Sequence, residues 1–238
     1  MRKLITVRAD ENICGYTELT LPLLRKKASD WGADFKLLTG NERGLSGDHK
    51  FHFRILDIYD ELASSSSYDV VLNLDADILI TPRCPNPFEV LPCDQVSTIY
   101  EDIGTRADHR RAIIQTIQHR FGNVGWGSNY INTGFFMVGK NYREIFTLIK
   151  NDARDDNIWL DWGSDDVHLG YQINKMGVTV NQLSYIWNHM TMFSEAWNGF
   201  ADRFQSNIIH YAGSGIFEKS RFKNKVDQIA ADIEKLSQ

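Results

Sequence analysis

The chain has 238 residues, 42% of them apolar and 12% aromatic, which is enough for one large core and too little for a second independent domain. A net charge of −5 argues against a nucleic-acid binder, because such proteins carry a basic excess that displaces counterions from phosphates. Three cysteines, Cys14, Cys84 and Cys93, are an odd number without metal-ligand spacing and read as small buried side chains in a reducing compartment rather than a disulfide framework.

The opening "MRKLITVRAD" begins basic, but its apolar run is too short for a signal peptide or a membrane span. A cytoplasmic protein without a transmembrane segment is expected, and peripheral membrane association through a partner or a lipid-linked substrate is compatible with it. "KLITV" predicts a first strand. Leu21 to Trp31 predicts a helix with Leu23, Leu24, Ala28 and Trp31 on its apolar side and Pro22 in its first turn. "DFKLLTG" predicts a second strand, and "KFHFRILDIYDEL" a helix with Phe51, Ile55, Ile58 and Leu62 in one stripe. "ASSSS" breaks that helix before the strand "DVVLNL". Strand, helix, strand, helix, strand is the pattern of an α/β protein whose mainly parallel sheet is covered by helices.

Further on, "QVSTIY" predicts a strand and Arg106 to Phe121 a helix carrying Arg106, Arg110, Arg111 and Arg120, which reads either as a solvated face or as a surface for a diphosphate or an acidic acceptor. The glycine- and asparagine-rich loop "GNVGWGSNYINTG" leads into the strand "FFMVG". "YREIFTLIK" and "SDDVHLGYQINKM" predict helices, the second opened by Ser164 as a cap. "VTVNQ" and "NIIHYAG" predict strands, and the tail from Glu218 a solvated helix. No internal repeat and no linker divides residues 1–238, so a single domain is expected.

The stretch "NLDADILI" ends an apolar strand with Asp75 and Asp77. Residues two apart on a strand point to one side, so both carboxylates converge, and like charges that close need a cation or a shared proton. Carboxylates select Mg²⁺ or Mn²⁺, ions that take further oxygens from substrate phosphates. "NIIHYAG" delivers His210 to another strand end, where it would complete the set and favour Mn²⁺. Asn132, Thr133 and Gly134 present an amide, a hydroxyl and an uncovered backbone suited to hydroxyl-rich ligands, or else a simple Asx turn. Asp165 and Asp166 stand in the first turn of a helix, where the dipole alone favours acids. The aromatic segment from Ile186 to Phe204 supplies faces for stacking on sugars or bases as well as core.

Taken in order, "VVLNLDADILI", "NTGFFMVG", "SDDVHLGYQIN", "YIWNHM" and "HYAG" resemble nucleotide-sugar-dependent glycosyltransferases of the GT-A fold. The likeness is to the family 8 type, which includes glycogenin and lipooligosaccharide galactosyltransferases. The resemblance implies a GT-A, Rossmann-like sheet with a nucleotide-sugar-binding half over residues 1–100, an acceptor-binding half over 101–217 and a C-terminal helix over 218–238. It implies that Asp75, Asp77 and His210 hold Mn²⁺ or Mg²⁺ on the diphosphate of a nucleoside-diphosphate sugar, with UDP-hexose the expected donor. Ala76 and Gly213 would lie along that donor, and Asn132, Thr133 and Gly134 would line its sugar and the carbohydrate or glycoconjugate acceptor. Asp165 or Asp166 would orient the sugar, Lys50 or Arg54 would touch the diphosphate or nucleotide, and Asp10 or Tyr16 would bind the base. The chain departs from the family pattern in reading Ser164-Asp165-Asp166 for Asp-Gln-Asp, and "HYAGSGIFEKS" where the family ends in a phosphate-binding lysine. Lys219 is the expected substitute. Family 8 enzymes retain anomeric configuration, so the departing phosphate itself would accept the acceptor's proton. Two other readings of the residues are a haloacid-dehalogenase-like phosphatase, with an Asp nucleophile in its Asp-x-Asp, and a non-catalytic carbohydrate-binding module.

Overall fold

The runs Leu4–Val7 and Val70–Leu74 are buried throughout, the condition of central strands in a sheet covered on both faces. In the computed structural model, which describes residues 1–9, 13–39, 52–63, 67–147, 165–193 and 202–238, they form β1 (Lys3–Arg8) and β3 (Val70–Asp75). The two pair in parallel, with Arg8 opposite Asp75. Around them the sheet runs β2 (Asp34–Leu38), β1, β3, β6 (Phe135–Gly139), β5 (Val96–Thr98), β7 (Val180–Gln182). Only β6 runs against its neighbours, so the sheet is mixed and mainly parallel. Alternate residues of each strand enter different cores: Leu4, Val71, Phe136 and Val138 join Ile114, Ile117 and Phe146 on one face. Ile5, Leu72, Phe135 and Met137 join Leu24, Ala28 and Trp31 on the other.

A second sheet has the order β4 (Ile78–Ile80), β9 (Ile208–His210), β8 (His189–Met190). β4 is antiparallel to β9, with Ile78 opposite His210, and β8 is parallel to β9. This small sheet decides where the site falls, since β4 leaves β3 by the Ala76–Asp77 turn and β9 returns His210 beside it.

The helices differ from expectation in three places. α1 spans Cys14–Asp30, beginning seven residues before the expected start, with Pro22 in its interior. The Thr17 and Thr20 hydroxyls donate back to the carbonyls of Ile13 and Tyr16, and Tyr16 and Leu19 pack on the Leu79, Ile209, Tyr211 and Ile229 cluster, which outweighs the backbone bond that proline forfeits. The segment expected as one helix before β3 is a 3₁₀ stretch, His52–Asp57, followed by α2 (Ile58–Ala63). Phe51 of its expected stripe lies outside the described residues. "YREIFTLIK" begins inside a 3₁₀ segment, Lys140–Phe146, rather than an α-helix. A short α3 (Pro87–Val90) follows the proline-rich connection, α4 (Ala107–Phe121) agrees with expectation to one residue, and α5 (Asp165–Lys175) opens on the two expected acids.

The tail is not solvated as expected. α6 (Lys225–Leu236) is amphipathic and buries Gln228, Ile229 and Asp232 against the molecule. Asp232 receives two bonds of 2.7 Å from Arg203 and one of 2.5 Å from the Tyr211 hydroxyl, which fixes the helix to the residue after β9. Removing one partner of a buried ion pair leaves the other uncompensated. Asp232→Ala is therefore expected to destabilise the protein by about 3 kcal/mol, read as a lowered urea midpoint.

Candidate functional site

The sequence placed Asp75 and Asp77 on one strand, but β3 ends at Asp75 and the chain turns through Ala76 and Asp77 into β4. The two carboxylates converge because the turn is held from outside. The Thr20 hydroxyl of α1 donates to the Ala76 carbonyl at 2.6 Å, and the Tyr211 amide donates to the Asp77 carbonyl at 2.9 Å. His210 arrives by the β4–β9 register, its Nε2 lying 3.4 Å from Asp75 Oδ2 and 3.2 Å from Asp77 Oδ1. One ligand atom from each of the three falls within 4.8 Å of the others.

A chain of amides aims the imidazole. His210 Nδ1 is 2.8 Å from Asn188 Oδ1, the Asn188 amide donates to Asn132 Oδ1 at 2.8 Å, and the Asn132 amide donates to Glu101 Oε2 at 3.0 Å. Held through Nδ1 by Asn188, the ring turns Nε2 to the carboxylates, donating to them while protonated and offering its lone pair to a cation once deprotonated. Gly134 makes room for it: a Cβ there would lie 2.4 Å from His210 Cε1.

Arg8, at the end of β1, joins the pair to α5. It is buried, donates to Asp75 Oδ1 and Asp165 Oδ2 from different guanidinium nitrogens, and gives a third bond of 2.8 Å to the His52 carbonyl. The carboxylates of Asp165 and Asp166 are bridged by Thr133, whose hydroxyl is 2.5 Å from Asp165 Oδ2 and 2.8 Å from Asp166 Oδ1 while its amide donates to the latter at 2.8 Å. At the far side, Lys225 Nζ lies 2.8 Å from Asp77 Oδ2 and 4.9 Å from the centre of the Tyr16 ring.

These neighbours set the protonation of the site. Burial alone would raise the Asp75 carboxyl, but Arg8 and then His210 hold it far below the usual carboxylate range. Asp77, likewise raised by burial, is brought low by His210 and Lys225. Burial would lower His210, yet Asp77 and Asp75 carry it up to about 9. Burial first, then Asp165 and Glu101, push Asp166 up to about 8.

Tyr16, Asp75, Ala76, Asp77, Asn132, Asp166, His210 and Gly213 of the expected set line one cavity of about 320 Å³. Thr133 and Gly134 are buried, bonded to Asp166 and packed on His210 respectively, and Asp165, 1% exposed, is held by Arg8. Arg54 does not reach the cavity: it is buried in an ion pair of 2.5 Å with Asp57. Lys219 is exposed and absent from the lining, and the lysine that the fold delivers is Lys225. Asp10 and Lys50 lie outside the described residues. The basic face of α4 divides: Arg106 and Arg110 pair with buried Glu101, Arg111 and Arg120 are exposed, and none of the four lines the cavity. Trp187, Met190 and Phe193 of the aromatic segment are core.

Arg8, His52, Glu101, Asn188 and Lys225 were not singled out from the sequence. An arginine closing the apolar run "LITV" was a readable signal for Arg8, because a charge entering a buried strand needs partners. Asn188 lies inside "YIWNHM". Nothing local marks Lys225, which stands 148 residues from Asp77.

No family model matches the sequence, and no curated protein matches it. The solved structures do match in fold. A glycosyltransferase involved in the glycosylation of the major capsid of PBCV-1 superposes with a TM-score of 0.63 at 17% identity, covering 97% of this chain and 100% of that one. The galactosyltransferase LgtC, in complex with donor and acceptor sugar analogues, gives 0.60 at 15% identity over 99% of this chain and 96% of that one. The bifunctional glycosyltransferase WbbM gives 0.59 at 14% identity over all of this chain and 50% of that one. The fold is that of the GT-A glycosyltransferases, and the structures it resembles include LgtC, of the family 8 type.

Two outcomes test this geometry. Gly134→Ala is expected to displace His210 and abolish Mn²⁺ binding while leaving the protein folded, seen by titration calorimetry beside circular dichroism. A histidine whose folded pKa is raised contributes stability that is complete below its unfolded value near 6.5 and lost as the pH rises through about 9. An acid raised to about 8 in the folded state also lowers stability as the pH rises towards that value, because only the unfolded chain ionises there. The melting temperature in chelator is therefore expected to fall between pH 6.5 and 9, and to fall less in His210→Asn.

Proposed function

We propose that the chain is a metal-dependent glycosyltransferase that moves a hexosyl group from a nucleoside-diphosphate sugar, UDP-hexose in the first instance, to a hydroxyl of a carbohydrate or glycoconjugate, with retention. The observation that carries this reading is the convergence of Asp75, Asp77 and His210 with Lys225 on one cavity at strand ends of a GT-A fold. Two carboxylates and an oriented imidazole suit Mn²⁺ better than Mg²⁺, and these three residues would hold it. When bound, such a cation supplies charge stabilisation to a departing diphosphate.

The chain's own residues account for the rest. Lys225 stands where a mobile ammonium can follow negative charge onto the leaving group. Tyr16 offers an aromatic face on the cavity wall for the base. Asn132, its amide carbonyl already fixed by Gly134 and Asn188, and Asp166 face the same space and suit sugar hydroxyls. Asp165 acts from behind, through Arg8 and Thr133, and is the less suitable of the two acids to touch the sugar. In a retaining transfer the leaving phosphate itself would take the acceptor's proton.

The phosphatase reading is disfavoured because its Asp-x-Asp follows the first strand of its fold, whereas here it follows β3. A binding module has no use for a nucleotide-diphosphate metal site. Among the described residues no helix is long and apolar enough to cross a membrane.

Thermal unfolding with ADP, GDP, CDP or UDP, with and without Mn²⁺, tests the proposal. One nucleotide at about a hundred times its dissociation constant is expected to add roughly 2.7 kcal/mol of stability only when Mn²⁺ is present, and Asp77→Ala is expected to abolish the gain. Stabilisation by none of them would sink the donor assignment, and an inverted product anomer in an NMR assay would sink retention.

A further inference from the structure

The two carboxylates that would hold a metal each have one oxygen already taken by a cation. Arg8 occupies Asp75 Oδ1 and Lys225 occupies Asp77 Oδ2, while the inner oxygens face His210. Counting Asp165, which shares Arg8, the two cations and three carboxylates carry one net negative charge once the imidazole has given up its proton, less than a divalent cation brings. A divalent cation entering alone would therefore leave uncompensated positive charge in a cavity whose acidic walls are largely buried, and a diphosphate arriving with it would remove that excess.

The two resident cations are not alike. Arg8 has a side chain 3% exposed, is bonded to two carboxylates and a backbone carbonyl, and cannot leave without stranding Asp165. Lys225 is the first residue of α6, its side chain is 17% exposed, and it touches the cavity that also contains the inner oxygens. Its stem lies against Gly215, where a Cβ would fall 2.6 Å from Lys225 Cε, so a glycine there leaves the stem its room. Its bond to Asp77 is thus exchangeable, and that of Arg8 is not.

Resting on the reading of this cavity as a nucleoside-diphosphate site, we propose that Lys225 is a resident counter-ion of Asp77. It opposes a lone divalent cation and transfers to the diphosphate when metal and nucleotide arrive together, so that the two ligands bind as a unit. Each ligand then raises the affinity for the other by the same factor, since coupling between two equilibria is reciprocal. A purely structural lysine would give the opposite sign on removal, because damage to the cavity weakens metal binding.

Titration calorimetry at a single pH decides between these, with Mn²⁺ alone and with Mn²⁺ in the presence of ADP, GDP, CDP or UDP. The wild type is expected to bind Mn²⁺ weakly alone and at least about tenfold more tightly with one nucleotide. Lys225→Met, with Lys225→Gln as a second neutral variant, is expected to bind Mn²⁺ alone about tenfold more tightly than the wild type and to lose most of the nucleotide's enhancement. Lys225→Arg, which keeps the charge, is expected to stay weak. If a nucleotide strengthens Mn²⁺ binding to the wild type but the neutral variants bind bare Mn²⁺ no more tightly, the counter-ion role falls and the donor assignment stands. If no nucleotide strengthens it, the coupling and the donor assignment fall together.

Discussion

A buried guanidinium has to have its charge matched where it lies, and Arg8 is matched by carboxylates from two different parts of the chain. That constraint organises the region around it. Asp75 can approach Arg8 because β1 and β3 are parallel neighbours in register, and Asp165 can because α5 starts beneath the same strand ends. Neither acid is free to turn away without leaving a buried charge unpaired, a penalty larger than most single contacts supply. The inner oxygen of Asp75 is thereby presented in one direction, and the candidate metal-binding group takes its shape from an interaction that makes no use of a metal.

The architecture was legible in the sequence to the extent that it is written in periodicity. Apolar strand runs at "LITV" and "VVLNL", the helix from Ala107 to Phe121 and the acids opening α5 follow from local pattern, and the structure holds them nearly where expected. What local pattern could not give was context. α1 begins before Pro22 because its first turns have a partner in a sheet formed more than 170 residues later, and α6 is buried because Arg203 and Tyr211 await Asp232. Tertiary packing overrode propensity in both.

The site divides the same way. The Asp75, Asp77 and His210 group could be assembled from motifs, each standing at the end of a readable strand. The geometrical reason given for it was incomplete, since a turn pinned by Thr20 and Tyr211 makes the two acids converge. Residues that act through others left fainter traces. Asn188 matters because it holds His210, and Lys225 because helix and turn return it to Asp77; neither relation has a signature at short range. Lys219 is the nearer lysine to His210 in sequence, but it is exposed and Lys225 is the one that reaches Asp77.

Residue 8 and residue 225 flank the same pair of carboxylates, which has a consequence for how the protein comes to exist. Translation delivers β1, β3 and β4 first, and for most of synthesis Asp77 has neither His210 nor Lys225 beside it. The cavity therefore cannot be complete until α6 has been made, because Lys225 follows Asp77 by 148 residues.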